Sequence, residues 1–189
     1  MTRAHTSSRL ARRSLAAVLL VAAACLFAPA VAAPAKLSGE AMRSHAARWA
    51  EAQVGMRERG QTNCGAKINK WTRAMGLKPC PRWCGAFVHQ AFLQAGVNLS
   101  SRLIDPDRTY DDVIANRRGL RRIAITSVRR GDILLFAFRP RLKASHLAIV
   151  RSRPVNGRVQ TVEGNVANAV RLKVRGLQYP VLAARVVGR

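Results

Sequence analysis

The sequence predicts an α+β domain, and three observations carry that expectation. Apolar residues recur at helical spacing from residue 39 to about residue 95, and the periodicity changes to that of strands from Gly131 onward. Forty-nine per cent of the 189 residues are hydrophobic, a composition that excludes a disordered or collagen-like chain and suits one domain of common size. Aromatic residues make up only 5%, so aliphatic and alanine side chains must fill most of the core.

The elements follow in order once the first 33 residues are set aside. Arg3, Arg9, Arg12 and Arg13 precede an apolar run from Leu15 to Phe27 that ends in small residues, the pattern of a secretory signal peptide cleaved after Ala32 or Ala33. Twin-arginine export through Arg12-Arg13 and lipidation at Cys25 are weaker variants of the same reading. Residues 34–189 are then a single exported domain without a stable membrane span. Ser38 caps a helix from about Gly39 to Val54, whose stripe is Met42, Ala46, Trp49, Ala50 and Gln53/Val54. Asn63 caps a second from Gly65 to Met75, ended by Gly76. Pro79 and Pro81 enforce an extended approach to Trp83, after which Cys84 to Ala95 is apolar at helical spacing. Asp105 to Asn116 is a shorter helix. Strands are expected at Ile133–Phe136, His146–Val150, Arg158 to about Asn165, Val170–Val174 and Leu182–Val187, forming a small antiparallel sheet.

Charge narrows the partners. The chain carries 33 Lys and Arg against 9 Asp and Glu, a net +24 that falls only to +20 when the four signal arginines are removed. Arg117-Arg118, Arg121-Arg122, Arg129-Arg130 and Arg139 to Lys143 are expected in loops or at element ends. In an exported protein this charge favours peptidoglycan and anionic envelope polymers. A nucleic-acid binder is disfavoured by export and by the lack of a basic-aromatic recognition motif. The expected form is a monomer.

Three cysteines remain after residue 33, an odd number in an oxidising compartment. Cys64 and Cys80 enclose a helical stretch that a disulfide can tie together, which leaves Cys84 free. A zinc site from Cys64, Cys80, Cys84 and His89 is the competing arrangement. It is disfavoured because Cys84 and His89 are about 140° apart around a helix. Cys84 itself stands at a helix N-terminus, where dipole and unpaired amides stabilise a thiolate.

Asn156-Gly157 is a two-residue hairpin signal, and extending its register places Val150 opposite Glu163, Ala148 opposite Asn165 and His146 opposite Ala167. All six share one face. An imidazole flanked by an amide and a carboxylate is equipped as a general base, since the partner fixes its tautomer and stabilises the imidazolium. The ordinary alternative is a surface histidine beside a solvated glutamate. The free thiol at a helix start weighs against it, because together these groups form a nucleophile, base and orienter.

The segments Trp83-Cys84-Gly85-Ala86-Phe87-Val88, Gly131-Asp132-Ile133, Ser145-His146-Leu147-Ala148-Ile149-Val150 and Glu163-Gly164-Asn165 resemble, in content and order, the CHAP domain, the cysteine, histidine-dependent amidohydrolase/peptidase of the papain-like cell-wall hydrolases. The resemblance covers roughly Ala41 to the C-terminus. It implies a papain-like fold, with N-terminal helices and the nucleophile at a helix start packed on the sheet. It also implies roles: Cys84 as nucleophile, His146 as general base and acid, Glu163 as orienting carboxylate and Asn165 as supporting partner. No metal or organic cofactor is then required, and the substrate class is peptidoglycan. Gly85, where the family more often has alanine, and the Cys64/Cys80 pair depart from the pattern. The alternative on the same fold is a catalytically silent cationic protein that binds or inhibits at the wall.

Overall fold

The computed structural model describes residues 38–187. The expected signal segment and Cys25 lie outside the described residues. Four helices, α1 (Gly39–Glu51), α2 (Ala66–Ala74), α3 (Cys84–Gln94) and α4 (Pro106–Ile114), accompany six strands: β1 (Leu120–Ile123), β2 (Ile133–Phe136), β3 (His146–Val150), β4 (Arg158–Val166), β5 (Ala169–Gly176) and β6 (Pro180–Val186). The strands form one antiparallel sheet in the order β1-β6-β2-β3-β4-β5, which makes the domain α+β.

α3 is the central helix. Every residue from Cys84 to Phe92 is buried, as a helix apolar on all sides requires. It packs against α1, α2, β3 and β4, and the main core lies between these helices and the face of the sheet that carries Ile133, Leu135, Leu147 and Ile149. A smaller cluster on the opposite face joins Leu134, Phe136, Ala148, Val150 and Val159.

Ser38 caps α1 by accepting from the Ala41 amide at 3.2 Å, but the helix stops at Glu51 and Val54 is exposed. Asn63 does not cap α2. Gly65 holds that position without a side-chain bond, and Asn63, at φ 58°, turns its amide toward β4 instead. Asp105 caps α4 through the amides of Asp107 and Arg108, with Pro106 at the first helical position.

Two sheet features depart from the sequence reading. The first is β1, which holds Arg121 and Arg122 inside an edge strand where a loop is expected; an edge strand keeps one side in water and tolerates charge there. The second is the hairpin register. The Asn156-Gly157 turn forms with φ of 49° and 69°, and Val155 pairs with Arg158. Beyond the turn the ladder slips by two, so that Ile149 faces Val162 and Val150 faces Thr161. Residues 151–154 oppose only 159–160, and Pro154 has no amide to contribute. The expected pairs Val150–Glu163, Ala148–Asn165 and His146–Ala167 are therefore replaced. A slip of two keeps every side chain on its face and carries Glu163 two residues nearer to His146.

Candidate active site

The site assembles where the start of α3 meets the start of β3. Trp83, fully buried, donates its indole N–H to Glu58 Oε2 at 3.0 Å and packs beside Trp71, which in turn meets Trp49 and Phe87, fixing the chain one residue before Cys84. A disulfide joins Cys64 to Cys80, with Cα atoms 4.6 Å apart, so two of the four groups in the zinc arrangement are committed to each other. Cys84 is free and buried. No side chain caps α3, which leaves its first amides available.

His146 opens β3 and lines the same cleft as the Cys84 thiol, whose ionisation it favours. Its Nε2–H donates to Glu163 Oε2 at 3.0 Å, so Nδ1 is the nitrogen left for sulfur. Neither partner is a solvated surface group, for His146 is 8% exposed and Glu163 0%.

Glu163 is held by three further hydrogen bonds from two side chains. Thr161 Oγ1 donates to Oε1 at 2.6 Å, and Arg175 forms a two-pronged pair, Nε to Oε1 at 2.8 Å and Nη2 to Oε2 at 2.7 Å. The Arg175 guanidinium also lies over the rings of Phe136 and Phe138. Arg175 and Thr161 are absent from the sequence reading. One arginine among so many carries no signal of its own, and the expected fifth strand stopped one residue before it.

Asn165 takes a different place from the one expected. β4 bulges between Glu163 and Val166, Asn165 adopts φ 62°, and its Nδ2–H donates to Asn63 Oδ1 at 3.1 Å. It lines the cleft that also contains Cys84 and His146 without bonding the imidazole.

The electrostatics follow from these contacts. Burial opposes ionisation of Cys84, but His146 and the Leu147 and Gly85 amides outweigh it and lower the thiol below its ordinary 9.0. Burial likewise disfavours a charged His146, yet Cys84 and Glu163 raise its pKa to about 9. For Glu163, burial is outweighed by hydrogen bonds from Arg175, His146 and Thr161, and the pKa falls to about 2. The shifts all run toward a thiolate–imidazolium pair backed by an ionised carboxylate.

Two solved proteins resemble the chain. RipA, described as a resuscitation promoting factor interacting protein and solved in a mutated form, aligns over 80% of this chain and 64% of its own, at 14% identity and a TM-score of 0.45. Ly7917 aligns over 79% of this chain and 62% of its own at 16% identity and a TM-score of 0.45, and its structure with the hydrolysing product of MDP gives 17% and 0.44. The chain thus spans a little under two thirds of the length of these proteins. A likeness of this degree says nothing of activity. No family model and no curated protein matches the sequence.

The cleft beside the thiol has a volume near 510 Å³, and a smaller hollow of 220 Å³ lies on the other side of Cys84. Cys84, Arg82 and Ser145 border both, so an extended chain crossing the thiol has room on either side.

Proposed function

We propose that the protein is an exported cysteine amidase or endopeptidase of the CHAP type that cleaves amide bonds of peptidoglycan. The observation that carries this reading is the Cys84 thiol at the start of α3, sharing one cleft with an imidazole whose Nε2 is held by a buried carboxylate. The Cys84 thiolate attacks the amide carbonyl carbon, and the carbonyl oxygen takes up the negative charge, facing the Cys84 amide at the helix start. Collapse expels the amine, which takes its proton from the His146 imidazolium and leaves a thioester on Cys84. Neutral His146 then removes a proton from water as it adds to the thioester, and the acid is released as the thiol re-forms. Glu163 keeps Nε2 protonated, so that Nδ1 is the nitrogen that gives and takes the proton. Asn165 borders the cleft as a polar partner to the substrate side. The segment 1–33 and the Cys64–Cys80 bridge support export. That peptidoglycan is the polymer rests on the motif resemblance and on the cationic surface.

Incubation of purified protein with sacculi, followed by mass spectrometry of the released fragments, tests the activity and names the bond. Cys84→Ala and His146→Ala should each abolish release while keeping the wild-type far-ultraviolet circular dichroism. Lysis retained by Cys84→Ala would overturn the thiol mechanism. Binding to sacculi that is equal in wild type and variant, with no fragments from either, would identify the silent cationic protein instead.

A further inference from the structure

The distribution of the few acidic residues sets the charge of the cleft. All nine carboxylates of the chain lie within the described residues, and most are committed to cations elsewhere. Asp112 gathers Arg102, Arg117 and Arg118, Asp132 gathers Arg43 and Arg185, Glu51 holds Arg130 and Arg151, and Asp111 holds Lys143. No acidic side chain lines the larger cleft, whereas Arg82, Arg139, Lys173 and Arg175 do. Arg175 is paired with Glu163. Arg82, Arg139 and Lys173 make no ion pair or side-chain hydrogen bond among the described residues.

These cations reach one cleft from three stretches of chain: the segment before α3, the loop after β2, and β5. Charges that serve only solubility have no reason to converge on a thiol. The half-exposed Phe138 ring stands on the same wall. The smaller hollow differs, since it borders Asp105 and Asp107 and lacks His146. The departing amine must lie beside the imidazole that protonates it, which places the amine half of a substrate in the larger, basic cleft.

We propose that this cleft is a carboxylate-recognising subsite: the substrate carries an anionic carboxylate on the amine side of the bond that is cut, held by Arg139 and Lys173 with Arg82 at the junction. The inference rests on the thiol-hydrolase reading of Cys84, and its test is chosen to be read without turnover.

Alkylation of Cys84 by iodoacetate and by neutral iodoacetamide is followed by peptide mass mapping, which counts no other thiol. In each case sulfur bonds to the methylene carbon and iodide leaves, so the two reagents differ only in carboxylate against carboxamide. At low salt the ratio of the two rates should favour iodoacetate about tenfold in the wild type. It should collapse toward the value set by His146 alone in the double variant Arg139→Gln/Lys173→Gln. The charge-matched pair Arg121→Gln/Arg122→Gln, on the far edge of the sheet, should keep the wild-type ratio. Raising salt should lower the wild-type ratio as well, a readout that needs no variant to fold. A ratio unchanged by Arg139→Gln/Lys173→Gln, or lowered equally by both pairs, overturns the subsite. In turnover, a synthetic amide with a free carboxylate on its leaving amine should be cut about tenfold more efficiently than its carboxamide counterpart, and a carboxylate moved to the acyl half should bring no gain. An inactive protein with strong iodoacetate preference would keep the subsite and sink the hydrolase reading, whereas a lytic protein without preference would do the reverse.

Discussion

At the scale of single residues, Glu163 and Asn165 both leave the places that a simple hairpin register gives them. The slip of two carries Glu163 to the imidazole, and the bulge at Asn165 sends its amide to Asn63. Glu163→Gln removes the charge that helps raise His146 to about 9, so the alkaline limb of activity, where His146 loses the proton it gives to the amine, should move down by about one pH unit. Efficiency should also drop by about 10²-fold as the imidazole loses its orientation. Asn165→Ala should leave the limb in place, and kcat/KM measured from pH 6 to 10 separates the two. Stability carries a second signature with its own sign. The Glu163 pKa is depressed from 4.5 to about 2, so its contribution is complete above pH 4.5 and is lost as pH falls through about 2. Acid unfolding of Glu163→Gln should lack that part of the transition, and identical acid profiles for variant and wild type would contradict the buried ionised carboxylate. Cys84, His146 and Glu163 were legible because their types and order are informative together. Arg175 was not, because its identity is common and only its position is special.

At the scale of elements, the start of α3 is shaped by what packs over it. A short 3-10 turn, Ser101–Ile104, crosses Gly85 so closely that a Cβ there would fall inside the Leu103 carbonyl and reach 2.8 Å from Ile104 Cα. Gly85 is thus matched to a neighbouring turn, a relation between distant segments that no local pattern displays. Gly85→Ala should destabilise the protein by about 1–3 kcal/mol in chemical denaturation, because rigid backbone must move to admit one methyl group. A change below about 0.5 kcal/mol would mean that the turn is free to shift. The same distinction separates the elements that were readable from those that were not. Helices and strands with clear periodicity, such as α3 and β3, were visible from the sequence. β1 was hidden because two of its four residues are arginines, and the hairpin slip was hidden because it depends on how residues 151–154 leave the ladder.

At the scale of the whole molecule, net charge was legible at once, and its arrangement was not. A count of +24 is compatible with scattered surface arginines, whereas the fold places the few carboxylates as anchors for arginine clusters and leaves a cleft of cations around a thiol. The cysteines show the same gap between number and arrangement, and it bears on how the molecule is made. The native bridge spans a sequence separation of 16, while the free thiol follows Cys80 by only four residues. In an unfolded, oxidising chain the wrong partner is therefore the nearer one along the sequence. A kinetic hazard that the finished fold conceals follows: Cys84 can compete for the sulfur that secures the segment leading to it. Reduced protein lacking residues 1–33, refolded in a glutathione buffer, should accumulate a Cys80–Cys84 species that resolves by thiol exchange, and Cys84→Ala should reach one bridged product directly. Peptide mapping of quenched samples distinguishes the two, and matching product distributions would remove the hazard. On this account the free sulfur proposed for hydrolysis is also the one that disulfide exchange would have to release during maturation.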